Sequence, residues 1–272
     1  MAPNAVEEAV QSNRPPSSSS GVFTPSQADE QWTPNTVQPE QNSPSPLPFF
    51  HLLERLKTTK REGWRRFGID HGESIADHMY RMSIITLLCP ASLSSTLDIP
   101  RCTKMALIHD MAESLVGDIT PVDGVTKGEK SRRESETMEY ICQGLLGGVG
   151  GGEAGRGMRE VWREYEDGET RESMFVHDVD KIELLLQMLE YERSHHGRIE
   201  LGEFSHVAKR IAMPEVQAWA AELLAEREGF WATLGGKPKG VGEVSEERRR
   251  LQEAYYAGHG HGEVNGANGT AS

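Results

Sequence analysis

The sequence predicts an all-α fold: one helical bundle of about six to eight helices, flanked by two disordered tails. Three observations predict it. Apolar residues recur at three- and four-residue spacing from about Phe49 to Trp231, the period of an α-helix. No stretch shows the strict alternation of a half-buried strand. The composition also changes at both ends. Residues 1–46 are rich in Ser, Pro, Gln and Asn, nine of the 14 prolines fall at or before Pro48, and the chain from Gly235 ends in GHGHGEVNGANGTAS. Such segments bury too little apolar surface to offset the entropy of ordering them. The expected organisation is therefore a tail over 1–46, a domain over 47–234 and a tail over 235–272.

The domain opens with PFFHLLERLKTT, whose Phe49, Leu52, Leu53 and Leu56 form one stripe. A second helix, GESIADHMYRMSIITLLC, has Ser74 as its capping residue and Ile75, Met79, Met82, Ile85 and Leu88 as its apolar face. Pro100 opens a third, read as one continuous helix through PRCTKMALIHDMAESLV, and Gly117 ends it. The loop GDITPVDG follows, then a polar helix from about Lys127 to Leu146. The glycine-rich connector between residues 144 and 157 lacks a preceding strand and a GK[ST] ending, so it reads as a disordered insertion and not as a phosphate loop. Helices resume at MREVWREYE and at TRESMFVHDVDKIELLLQMLEYERSH, and Pro214 opens the last.

The 272 residues carry 29 basic and 42 acidic side chains, a formal net charge of −13. Such a chain repels polyanions, so nucleic acid is not the expected partner. A small phosphorylated molecule remains open, because a bound cation reverses the local field. Cys89, Cys102 and Cys142 follow neither a disulfide nor a zinc-finger spacing. No apolar run is long enough to span a bilayer, and MAPNAVEEAVQ lacks the basic and apolar regions of a secretory signal. No membrane association is expected, and the location expected is cytoplasmic, with the nucleus as a second compartment.

The chemistry lies in ALIHDMAESLVGDITP. On a helix His109 and Glu113 share a face, with Asp110 one step round, among apolar Met105, Leu107, Ile108, Met111 and Leu115. Ionisable groups in so apolar a helix are costly unless paired or metal-bound. His78 lies along the stripe of the second helix, and Asp180 sits in FVHDVDKIELLL. Taken singly, His78 fits a hydrogen-bonded core residue, Asp180 fits a core ion pair, and Asp178 competes with it. Together, two imidazoles and two carboxylates from three helices suit a divalent transition metal with room for water. His259 and His261 sit in the C-terminal tail and carry no role.

ESIADHMYRM, IHDMAESLVGDITP and FVHDVDKIELLLQMLEYE resemble the HD-domain phosphohydrolases, and more narrowly the HD-domain-containing 5′-deoxynucleotidases of the YfbR-like family. The similarity covers roughly Phe49 to Trp231. It implies an α-helical HD domain in which His78, His109, Asp110 and Asp180 match the metal ligands. It also implies Glu113 as the acid that works on the attacking water and Asp118 as a carboxylate near the phosphate. Glu113, Asp118 and the main chain of Ile119 would hold a second ion. The implied cofactor is a divalent cation (Mn, Co or Mg), the reaction hydrolysis of a deoxyribonucleoside 5′-monophosphate, and the assembly a homodimer. Bacterial relatives place an Arg-Trp pair at the sugar; the counterparts here, Arg61 and Trp64, are separated by Glu62 and Gly63. The alternatives are another HD chemistry, acting on a nucleoside triphosphate, a cyclic nucleotide or an alarmone, and a non-catalytic HD scaffold.

Overall fold

The computed structural model describes residues 41–238 and residue 250. Most of both expected tails, with His259 and His261, lies outside the described residues. Among the described residues ten α-helices follow one another: α1 (Leu47–Thr58), α2 (Glu62–Arg65), α3 (Ile75–Leu87), α4 (Ala91–Ser94), α5 (Ile99–Ala106), α6 (Glu113–Val116), α7 (Lys127–Glu139), α8 (Glu153–Asp167), α9 (Arg171–Ser194) and α10 (Pro214–Thr233). Seven have eight residues or more, and α2, α4 and α6 are single turns. Among the described residues no strand occurs; one isolated bridge pairs Lys60 with Ser74.

The bundle is built around α9, which packs against α3, α5, α8 and α10. Phe175, Val176, Val179 and Leu185 of α9 are wholly buried, and side chains of this size each contribute about 1.5–3 kcal/mol by leaving water. The acids of α9 that this packing buries must be paired. Asp178 accepts from the backbone N–H groups of Ala212 (3.0 Å) and Met213 (2.8 Å), satisfying the start of α10. Glu192 accepts from Arg227 Nε and from Trp231 Nε1, which ties the last turns of α9 to α10. At α3, Ser74 and Asp77 form a reciprocal capping box. This fixes where the helix begins and therefore which side of it His78 occupies.

Two expectations are corrected. The segment from Pro100 to Val116 is not one helix. α5 stops at Ala106, and the N–H groups of Ile108, Met111, Glu113, Ser114 and Leu115 then donate to carbonyls three residues back, while those of His109 and Val116 donate four back. This tightened winding differs from the α-helical face on which His109 and Glu113 were placed. The glycine-rich connector is not a disordered insertion. α7 runs into a π-helical turn over Tyr140–Leu145, a short 3₁₀ turn occupies Gly150–Gly152, and α8 already begins at Glu153. Gly155 permits the close approach of α8 to that π turn, since a Cβ there would stand 2.2 Å from the Cys142 carbonyl oxygen.

Candidate metal centre

α3 presents His78, the tight turns after α5 present His109 and Asp110, and α9 presents Asp180 and Glu183. His78 is completely buried. Its Nδ1 lies 2.6 Å from Glu183 Oε2, and its Nε2 lies 3.3 Å from Asp180 Oδ1 and 3.7 Å from Asp110 Oδ2. His109 donates from Nδ1 to the Ala106 carbonyl at 3.0 Å, and its Nε2 is 3.2 Å from Asp110 Oδ2. The side chain of Asp180 remains 33 % exposed, which leaves the centre open on that side.

With both Nδ1 atoms engaged as donors, both Nε2 lone pairs face carboxylate oxygens, acceptor against acceptor. Neither Nε2 is aligned for a hydrogen bond, and both are buried. Only a cation between them, or protons, relieves this arrangement. The residues therefore fit a divalent metal with nitrogen and oxygen ligands. The surrounding carboxylates draw positive charge, a proton or a cation, to this point. Burial and Arg61 work against charge on His78, yet Glu183 and Asp180 outweigh them and carry its pKa up to about 10. Burial likewise opposes the ionised forms of Asp110 and Asp180. His109, Arg61 and His78 hold Asp110 well below the usual carboxylate range, and His78 and Arg61 do the same for Asp180.

Glu113 stands beside this group. Its Oε2 is buried without a hydrogen bond, and its Oε1 is 3.8 Å from Lys130 Nζ. Burial, reinforced by Asp110 and Asp118, pushes its pKa well above the usual carboxylate range against the pull of Lys130 and Arg61. Asp118 accepts from the backbone N–H of Glu62 at 2.6 Å, which fixes the loop after α6 against α2. Ile119 follows in that loop, half-buried. Glu113 and Asp118 do not join any group of three side-chain ligands lying within 4.8 Å of one another; such groups among the described residues are His78–His109–Asp110 and Glu73–His78–Glu183.

A family model described as an HD domain matches residues 53–219 of the chain. The chain belongs to the HD-domain 5′-deoxynucleotidase family. It is 47 % identical over 191 residues to the 5′-deoxynucleotidase hdd1 of Schizosaccharomyces pombe, covering 70 % of this chain and 94 % of the relative. To the 5′-deoxynucleotidase HDDC2 of Homo sapiens it is 37 % identical, covering 71 % of this chain and 91 % of that one. The solved structure of the HD domain-containing protein YGK1 superposes with a TM-score of 0.53 at 33 % identity, covering 68 % and 87 % of the two chains.

In this HD-domain protein the two expected sugar-reading residues part company. Arg61 Nη1 reaches to 3.3 Å from Asp110 Oδ2. Burial opposes its charge, but Asp118, Asp110, Asp180 and Glu113 hold its pKa well above the ordinary value. Trp64 instead is 1 % exposed. Its indole N–H donates to Glu73 Oε1 at 2.7 Å, and its ring packs on Tyr191 and Phe204. That placement is a correction: no face of Trp64 is free for a ligand. Sequence reasoning missed Glu183, Arg81 and Lys130. A trace of Glu183 was present, since an acid between Ile182 and Leu184 in an apolar run requires a partner. Nothing in the sequence pointed to Lys130, which looks like any charge on a polar helix.

Proposed function

We propose that this chain is a metal-dependent phosphoric monoester hydrolase that converts deoxyribonucleoside 5′-monophosphates to the deoxynucleoside and phosphate. The observation that carries this reading is the pair of buried Nε2 lone pairs on His78 and His109, facing Asp110 and Asp180 beside an unpaired Glu113 oxygen. The substrate class rests on the relatives, which are named 5′-deoxynucleotidases. His78, His109, Asp110 and Asp180 would hold Mn, Co or Mg. When bound, such an ion neutralises phosphoryl charge and makes water acidic enough to ionise near neutrality.

The chain's own residues supply the rest. Glu113 Oε2 takes and holds the proton of the attacking water, a task suited to a carboxylate whose basicity is raised by burial. The Arg61 guanidinium, held among four carboxylates, faces the phosphate and fixes its orientation. Asp118 braces the loop at the mouth through Glu62. No nucleophilic side chain is required, and in-line transfer asks mainly for positioning and charge. The test is phosphate release from a panel of nucleotides, each with Mn, Co and Mg. Release from deoxyribonucleoside monophosphates is expected to exceed that from triphosphates and cyclic nucleotides. Preference for the latter with every metal would refute the substrate assignment.

The assembly we propose is a homodimer through the outer face of α3. Tyr80, Ile84 and Leu87 lie there on one stripe, 41–65 % exposed, and Leu88, expected on the inner face, instead follows the helix at 71 % exposure, more apolar surface than an isolated helix face ordinarily leaves in water. Light scattering is expected to give twice the chain mass for the wild type and the single mass for Ile84→Glu. A monomeric wild type at micromolar concentration would exclude this assembly.

A further inference from the structure

The two histidines of the centre are supported differently. His109 Nδ1 donates to a neutral carbonyl, that of Ala106. His78 Nδ1 faces the carboxylate of Glu183, a residue with no exposure at all. Both oxygens of Glu183 are committed: Oε2 lies 2.6 Å from His78 Nδ1, and Oε1 accepts from Arg81 Nε at 2.8 Å and lies 2.6 Å from Arg81 Nη2. Arg81 is in turn fixed by Gln187 Oε1 (2.7 Å) and Glu190 Oε2 (2.6 Å). Residues 183, 187 and 190 follow one stripe of α9, so the guanidinium lies along that stripe and clamps α3 to α9. A buried ion pair adds little net stability over an apolar pair of the same volume, so stability alone is a weak reason for this one.

We propose that Glu183 is a positioning residue for the metal ligand His78, holding the proton on Nδ1 so that Nε2 is presented as the ligand atom, and that Arg81 keeps Glu183 in place. This rests on the reading of His78, His109, Asp110 and Asp180 as metal ligands. A carboxylate behind a ligating imidazole fixes its tautomer and ring angle and strengthens it as a donor, and loss of such a partner typically costs about 10–100-fold in metal affinity. Asp178 supplies the contrast. It is an equally buried acid on the same helix, but it accepts from the backbone at the start of α10 and pairs with Lys181 at 3.5 Å, and touches neither histidine.

The experiment measures the Mn dissociation constant by competition with a chelator, alongside the melting temperature of the metal-free full chain. Glu183→Gln is expected to weaken Mn binding by about 10–100-fold. Arg81→Gln, which frees the carboxylate to turn, shifts affinity in the same direction by less. Asp178→Asn is expected to lower the melting temperature with the Mn affinity unchanged, separating structural support from positioning. Wild-type affinity in Glu183→Gln overturns the proposal. If that variant does not fold, wild-type affinity in Arg81→Gln overturns it instead. A wild type that takes up no Mn, Co or Mg refutes the metal reading itself, a distinct result from a loaded wild type matched by a loaded Glu183→Gln.

Discussion

Glu113→Ala is expected to lower kcat by about 10²–10⁴-fold, the usual worth of a positioned acid-base group, while the protein keeps its tightly bound metal. Glu113 is buried, its Oε2 makes no hydrogen bond, and its nearest cation, Lys130, stands 3.8 Å from the other oxygen. An oxygen left unpaired at that depth is costly to the fold, and accepting a proton from water gives it a use. Metal content by elemental analysis, measured beside kcat, distinguishes this from loss of a ligand. The rival role, in which Glu113, Asp118 and the Ile119 main chain hold a second ion, predicts that high metal concentration partly restores the variant. Near-wild-type turnover in Glu113→Ala would remove both roles and leave Asp118 as the working carboxylate.

Asp110→Ala is expected to abolish metal-dependent stabilisation altogether. Asp110 Oδ2 is the common point of the centre, 3.2 Å from His109 Nε2, 3.7 Å from His78 Nε2 and 3.3 Å from Arg61 Nη1. In the wild type, free metal at about 100 times its dissociation constant adds about 2.7 kcal/mol, which raises Tm by about 5–10 °C for a domain of this size. Scanning calorimetry with Mn and with chelator is expected to show that rise in the wild type and none in Asp110→Ala. Turnover of the variant should fall by more than the roughly 10–100-fold attached to loss of an outer partner. An undiminished thermal shift in Asp110→Ala would remove Asp110 from the ligand set.

Much of this centre was legible because the chemistry sits in apolar surroundings. His109, Asp110 and Glu113 stand among residues that belong in a core, so their burial and their need for partners follow from the sequence alone. The path that carries them was not legible. Apolar spacing cannot distinguish hydrogen bonds to the fourth residue back from bonds to the third, so the change after Ala106 left no mark in it. Asp178 and Asp180 were rivals two residues apart. Only the tertiary partners, the start of α10 for one and His78 for the other, assign them. Trp64 was placed by resemblance, and its indole is instead spent on Glu73 and the aromatic packing of Tyr191 and Phe204. The connector misled because a run so rich in glycine looks like a flexible link, whereas several of those glycines serve tight turns and close backbone contact.

The successive obligations along α9 govern where the chain can change length. Asp178 serves α10, Asp180 and Glu183 serve His78, Gln187 and Glu190 hold Arg81, and Glu192 holds Arg227. One residue inserted within this run rotates everything after it by about 100° and breaks each of those attachments together, at the ligand end and at the far end alike. Gly150 and Gly151 take left-handed turn conformations but make no attachment to α9 or to the histidines, and the space around them is open. A change of length is therefore expected to be tolerated in that turn before α8 and not between Asp178 and Glu192.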